Sequence, residues 1–502
     1  FWYIAGLHSA EGVNIIGVTA PGLPFVAMGH NDSIAYAFTV SSVDVIDYFR
    51  YQRHPEDTLK VLTSNGYQLL KMRYEDIKIQ GKSKPLQIAV YEAPAGPVIE
   101  MDSASVLAVH WAGYDFNVSS MLENAVALHR ISNFQDFRKT VTGLGALDAN
   151  WVYSDVQGNI GYQLGTPIPK RQAEFDPFLE IPGEYDDLAW HEYYPLEQTP
   201  HVLNPPEGWI ASCNNQIVSD QWPYEVPGFY DPYRIVRAKT LLQEKKQYSV
   251  KDMERMQLDY ISAHALRWKN LLAIAAEKTH HTELVEQIRQ WDGNMAGNSR
   301  MATLFSYWWE ILAQTIFEDE LQGNWPMGKY ILEEVISEPI TSVIDDKTTS
   351  ETVETLEDMA AKALQMVVLN FEIKPYKEVS ILQIEHPLSK IKFLDMWFGL
   401  SRGPFPMPGG KGTLNANLRE FNPQTGKFEC FVAPSMRYVL DWADVDGFTI
   451  NGNMGQSGNP FSPHYDDFLE VMLTGQRWNV PFSKGKVYEK KETLLVLKPE
   501  SR

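Results

Sequence analysis

The sequence predicts an α+β chain, a sheet-rich body that carries a helical insertion. Three observations point to it. Short β-type runs separated by turn residues fill positions 1 to 120, a stripe of apolar residues at helical spacing occupies 249 to 372, and short strands with Pro and Gly return after Pro404. At 502 residues, 44% of them hydrophobic, the chain can bury a large core and exceeds one ordinary domain. This gives three parts: 1–248, with a hairpin, an acidic loop and central sheet; 249–372, mostly helical; and 373–502, whose strands are expected to complete the first sheet.

In chain order, strands are expected at 13–19, 25–28, 34–40, 59–63, 87–92 and 105–110, a spacing that fits antiparallel pairing. Gly29, Asn31 and Asp32 supply turn residues between Phe25–Met28 and Ile34–Val40, which reads as a hairpin. Within the second of these runs Ile34, Tyr36, Phe38 and Val40 alternate with Ala35, Ala37 and Thr39, so small side chains on one face leave room for bulky neighbours. From Ser119 to Thr142 the apolar positions Met121, Ala125, Leu128, Ile131, Phe134 and Phe137 predict one or two helices. Asn150 to Gly165 returns to strand around a Gln157-Gly158-Asn159 turn. Residues 166 to 234, dense in Pro, Gly and aromatics, read as a long ordered loop region. Ser249-Val250-Lys251-Asp252 is a capping-box start, and helical patterns recur at 283–291, 301–321 and 353–371. Strands are expected again at 428–433, 437–441 and 493–497.

Composition excludes several classes. A net charge of −20 argues against nucleic acid or an anionic membrane as partner, since phosphate binding needs concentrated Lys and Arg. Two cysteines, Cys213 and Cys430, exclude a disulfide scaffold and a Cys-rich zinc module while leaving one disulfide open. No apolar run reaches the length of a membrane span. The start, Phe1-Trp2-Tyr3-Ile4, has neither an initiating Met nor a signal peptide and reads as the middle of a folded segment, so a processed or truncated chain is expected. There is no G-x-S-x-G elbow, H-E-x-x-H or Walker loop, which removes the standard serine hydrolases and metalloproteases.

Two features around the hairpin suggest chemistry. The strand ends at Val40-Ser41-Ser42, where small residues let a backbone N–H face a ligand. Asp44 and Asp47 follow three apart, two hard oxygen donors that can share a calcium ion if the backbone loops between them; the bland alternative is a pair of solvated acids.

Pro21-Gly22-Leu23-Pro24, Gly29-His30-Asn31, the alternating strand and the spaced Asp pair resemble the penicillin acylase family of N-terminal-nucleophile amidohydrolases. The resemblance continues in order through Asn150 to Asp155 with Gly158 to Tyr162, Asn204-Pro205 with Asn214-Asn215, and Gly455 to Gly458 with Ser462 to Tyr465. It implies a four-layer αββα core with a helical insertion, and an acyl transfer to the N-terminal Ser of a β chain whose own α-amine acts as base. No residue of this sequence matches that Ser, whose position lies a few dozen residues before Gly6-Leu7-His8.

The supporting groups do carry over. The resemblance assigns the oxyanion-hole backbone donor to Val40 and the side-chain donor to Asn214, with Arg234 orienting Asn214 or a substrate carboxylate. Read without it, Asn214-Asn215 is a turn and Arg234 a surface residue. It places Met28, Phe38 and Ala149 along an acyl pocket, where a small Ala149 leaves room for long or bulky acyl groups; otherwise they are core residues. For structural calcium it implies Asp44, the carbonyl of Ile46, Asp47, the carbonyl of Pro177 and Glu225, with Asp220 as the alternative to Glu225. The expected function is hydrolysis of an acylated amine, a penicillin or another N-acyl compound, by the β-chain portion of a periplasmic or secreted enzyme partnered by an α chain from the same precursor. The alternatives are an acylase for N-acyl-homoserine lactones or other aliphatic amides, and a relative that kept the fold and lost catalysis.

Overall fold

The computed structural model describes residues 2–145, 147–172, 176–219, 221–349 and 353–498. The chain forms two compact units, Ile4–Tyr230 and Asp231–Arg502 together with Phe1–Tyr3. The boundary therefore falls at 230/231, and the helical block and the C-terminal strands share one unit instead of forming two.

In the first unit a seven-stranded sheet runs in the order Tyr3–His8, Asn14–Thr19, Met28–Asn31, Ile34–Thr39, Asn150–Asp155, Ile160–Leu164 and His201–Leu203. One face buries Ile15, Ile34, Tyr36, Trp151 and Tyr153 against Leu128, Phe134, Phe137 and Val141. The apolar spacing of 119–142 resolves into two helices, Val118–Ala127 and Phe134–Thr142, whose N-terminal amides at Ser120 and Asp136 donate to the side chains of Asn117 and Asn133.

The expected hairpin is present with a shifted turn. Gly29 and Asn31 belong to the strand Met28–Asn31, and the turn is at Asp32–Ser33. Gly29 is there for close approach: it pairs with Gly17, and a Cβ on it would lie 2.1 Å from the Ile16 carbonyl oxygen.

A second sheet of the same unit, in the order Ile181–Pro182, Ile46–Gln52, Ser105–Trp111, Gly96–Met101, Leu86–Ala93 and Lys71–Ile77, has its own core of Phe49, Tyr51, Val106, Ala108 and Ile181. The strand Ile46–Gln52 continues directly from the acidic loop, so that loop links the two sheets. Lys71–Ile77 is an exposed edge strand, and its lack of buried positions is why periodicity does not signal it.

In the second unit the helices Ala263–Lys278, Arg300–Leu321 and Leu356–Asn370 pack around Leu272, Trp308 and Leu364. The capping box at Ser249 and Asp252 is formed, and a second occurs at Thr355 and Asp358. Among the described residues the C-terminal strands pair among themselves and not with the seven-stranded sheet. Arg402–Pro406, Ser380–Ile384, Lys427–Val432 and Leu418–Asn422 make one sheet; Met436–Asp441, Asp444–Gly452 and Trp478–Asn479 make another. Lys427–Val432 is held there because Phe428 buries beside Tyr307 of the long helix. Thr493–Leu497 forms no strand, and its Leu494, Leu495, Val496 and Leu497 are exposed. Among the described residues no helix is long and apolar enough to cross a membrane, and Cys213 and Cys430, both buried, form no disulfide.

Candidate functional site

The site grows from the register between two neighbouring strands. Thr39 pairs with Asn150 at the end of their shared ladder, and beyond that pair the chain leaves the sheet through Val40, Ser41 and Ser42. The Val40 carbonyl then accepts from two side-chain amides, Asn150 Nδ2 at 3.2 Å and Asn214 Nδ2 at 2.6 Å. Thr39 Oγ1 shares a 2.6 Å hydrogen bond with Ser212 Oγ, tying the strand end to the segment that carries Asn214. Asn214 has φ +60°, a left-handed conformation that Asn tolerates better than most residues. Two candidates that are 174 positions apart in sequence are thus brought together at one strand end.

Behind them lies a fully bonded polar wall. Asn150 is wholly buried and its Oδ1 accepts from the Tyr162 hydroxyl at 2.6 Å, while burial holds the Tyr162 phenol well above its ordinary range. Val40 itself is 53% exposed and opens onto a cavity of about 380 Å³. Its lining combines apolar Val43, Val45, Ile46, Trp111 and Phe229 with polar Ser42, Asp44, Asp148 and Thr166. A volume of that size suits a small ligand.

The other candidates are placed differently. Arg234 lies in the second unit, where it opens the helix Arg234–Gln243 and pairs with Asp231 at 2.9 Å. Ala149 is wholly buried in the core under the seven-stranded sheet, Phe38 packs against that core with its ring 4.8 Å from Trp151, and Met28 is also buried. None of the three lines the 380 Å³ cavity; their neighbours Val40 and Asp148 do.

Asp44 lies in the loop and Asp47 in the strand Ile46–Gln52 that follows it, and a cation of the chain's own sits between their carboxylates. Arg171 donates from Nη2 to Asp44 Oδ2 at 3.1 Å, from Nε to Asp47 Oδ1 at 2.9 Å and from Nη1 to the Asp44 carbonyl at 3.1 Å. Burial raises the Asp44 carboxyl above its ordinary value, opposed by the Arg171 charge. Asp47, Arg171, Asp176 and Pro177 line a second cavity of about 10 Å³, room for one water-sized body. The carboxylates and loop carbonyls are hard donors of the kind calcium takes, and the guanidinium shows that a positive charge fits among them. Glu225 is exposed and does not line this cavity, and Asp220 lies outside the described residues. Among the described residues no three His, Cys, Asp or Glu side chains cluster as a metal site.

Sequence reading did not single out Asp148, Thr166, Ser212 or Arg171. Only their long-range hydrogen bonds mark them.

Residues 1–489 match the family model for penicillin amidase. The chain belongs to this family. Among the penicillin amidase relatives, the Penicillin acylase 2 proenzyme of Pseudomonas sp. (strain SE83) is 26% identical over 90% of this chain and 59% of its own length. The acyl-homoserine lactone acylase QuiP of Pseudomonas aeruginosa is 23% identical over 95% of this chain and 63% of its own length. The chain therefore spans about three fifths of the curated relatives it matches. A solved thermostable penicillin G acylase from Alcaligenes faecalis superposes with a TM-score of 0.71 at 19% identity, covering 100% of this chain and 94% of that one. The penicillin amidase fold of this chain is thus the αββα core of N-terminal-nucleophile hydrolases with a helical insertion, as the resemblance implied.

Proposed function

We propose that this chain is the β-chain portion of an amide-hydrolysing acylase, with an N-terminal Ser outside this sequence as nucleophile. The observation that carries the reading is the hydrogen bond from Asn214 to Val40, a residue that lines the 380 Å³ cavity. In the mechanism, the Ser hydroxyl attacks the amide carbonyl while its own α-amine takes the proton. The Val40 N–H and Asn214 Nδ2 then donate to the tetrahedral oxyanion, Asn214 turning from the Val40 carbonyl toward the substrate. Collapse expels the amine and leaves an acyl-enzyme, which water hydrolyses. An α chain from the same precursor completes the acyl pocket together with the Met28, Phe38 and Ala149 region. The processed enzyme acts in the periplasm or outside the cell.

The substrate is an acylated amine of the penicillin type. A second reading, an aliphatic acyl group such as that of an N-acyl-homoserine lactone, is favoured by the apolar walls Val43, Val45, Ile46, Trp111 and Phe229 and by the QuiP relatives. A relative that kept the fold without catalysis is the outcome that would sink both.

Calcium belongs to the same proposal as a structural ion. Asp44, Asp47 and the carbonyls of Ile46 and Pro177 would hold it, with Glu225 or Asp220 completing the set, and Arg171 would have to swing aside. When bound, the ion would tie the loop around Pro177 to the first hairpin.

The test is intact-mass analysis and N-terminal sequencing of the protein made from the complete gene, followed by a panel of aromatic and aliphatic acyl-amides. A β chain beginning with Ser upstream of Phe1, together with hydrolysis of one panel member, is expected. An uncleaved, inert product would overturn the reading.

A further inference from the structure

Resting on the acylase reading, we propose that Asp148 is a positioning residue that fixes the Val40–Ser42 turn and with it the backbone oxyanion donor. Its carboxylate reaches the turn from more than a hundred positions away in sequence. Asp148 Oδ2 accepts from the Ser42 N–H at 3.2 Å, and Asp148 Oδ1 accepts from the hydroxyls of Ser41 and, at 3.1 Å, Thr166. Three donors therefore converge on one acceptor-only group. An amide at this position would have to turn its NH₂ toward one of them.

The rest of the turn shows why such a clamp is needed. Ser42 has φ +61°, a conformation that a non-glycine residue keeps only where its surroundings impose it. The peptide groups on either side of that residue are both held: its N–H by Asp148, and its carbonyl by the Phe229 N–H at 2.9 Å. Ser41 is wholly buried, its Oγ lies 2.8 Å from Thr166 Oγ1, and it accepts from the Val43 N–H at 3.3 Å. Thr166 Oγ1 in turn accepts from the Ala149 N–H at 2.9 Å, so the clamp is anchored to the backbone beside Asp148 itself.

Asn150 holds the Val40 carbonyl from the other side, and Asn214 shares it until it turns toward the substrate. The Val40 N–H belongs to the Thr39–Val40 peptide, which lies between the ladder pair Thr39–Asn150 and the Val40–Ser41 peptide held ahead of the Asp148 clamp. An oxyanion donor acts by being aimed before the charge develops, so freedom in this turn would be lost rate.

The experiment makes D148A and D148N in the complete precursor and compares each with the parent. Hydrogen exchange of the peptide 38–46 is followed by mass spectrometry, alongside kcat and KM for an acyl-amide the parent hydrolyses. D148A is expected to exchange faster in 38–46 and to lose roughly 100-fold in kcat with KM nearly unchanged. D148N, keeping shape and one acceptor oxygen, should fall between the two. If D148A does not fold, the kcat of D148N decides alone, and a parent-like value overturns the proposal. Folded D148A with unchanged exchange in 38–46, or with parental kcat, also overturns it. A parent inert toward every acyl-amide would refute the acylase reading instead, and the exchange comparison would still decide whether Asp148 clamps the turn.

Discussion

Replacing Arg171 by Gln would leave two buried carboxylates facing each other without a counter-charge. The Asp44 and Asp47 side chains are 9% and 5% exposed and that of Arg171 is 14% exposed, so solvent screens the trio little. Removing one partner of a buried pair costs about 3–5 kcal/mol, because the remaining charge stays desolvated. For a body the size of the Ile4–Tyr230 unit that corresponds to a fall in Tm of roughly 10 °C. The pH dependence follows from Asp44, whose folded carboxyl is raised by burial. A raised carboxyl contributes stability below its unfolded pKa and loses it as pH rises through the folded one. R171Q removes the opposing charge and enlarges that effect, so the gap between variant and parent should narrow as pH falls through the carboxylate range. Calorimetry of parent and R171Q at neutral and acid pH, with calcium or with a chelator, measures all of this. Because the guanidinium competes for the same oxygens, calcium should raise the Tm of R171Q more than that of the parent. A saturating ion at about 100 times its Kd adds about 2.7 kcal/mol. A Tm for R171Q equal to the parent's would refute the ion-pair argument, and indifference of both proteins to calcium would refute the metal proposal.

Three further outcomes are expected. Asn214→Ala should lower kcat by about 10²–10³ with little change in KM, and a parental kcat would remove Asn214 from the oxyanion role. Gly29→Ala should cost about 3 kcal/mol in urea unfolding, because the new Cβ meets the Ile16 carbonyl oxygen at 2.1 Å; an unchanged midpoint would show that the strands can part freely. The buried His129 accepts from the Val26 N–H at Nε2, 2.9 Å away, and burial, then Arg130, lowers its pKa. A depressed pKa means stability is present above about pH 6.5 and lost below it, by at most about 1.4 kcal/mol per pH unit from this residue. His129→Gln, whose side-chain oxygen can take the same hydrogen bond, should shrink the drop in Tm between neutral and mildly acid pH, and an identical drop would exclude His129 as its source.

The parts of this fold that were legible in the sequence are those set by local periodicity. Ser249 with Asp252 marks its helix start because both halves of the capping box lie within one turn. The alternation through Ile34 and Tyr36 identifies a strand because these side chains are fully buried on a single face. Gly29 shows where local reading fails, since a glycine that looks like a turn residue is needed for the approach of Gly17. Partner choice is likewise not local: nothing within Lys427–Val432 says that it joins Ser380–Ile384 in place of the seven-stranded sheet. For the candidate site, family resemblance brought Val40 and Asn214 to notice, whereas Asp148 and Arg171 stand in no motif. They become visible only when folding places them against residues more than a hundred positions away.

The distribution of burial at the strand end argues for what this site is built to do. Asn150 and Ser41 are wholly buried and Thr166 nearly so, and each would cost about 1–3 kcal/mol if its polar group lacked a partner. Each has one, through Tyr162, Asp148, Thr166 or Ala149. Such a network resists rearrangement, because moving any member leaves another unpaired. Val40, in the middle of it, is the member left half open to the cavity. A rigid polar wall behind the exposed Val40 adds little to substrate affinity where its members, Asn150 and Ser41, stay out of the cavity lining. Its value lies in holding a donor at a fixed angle. Changes in the wall should therefore appear in kcat before they appear in KM, whereas changes in the apolar lining at Trp111 or Phe229 should do the reverse.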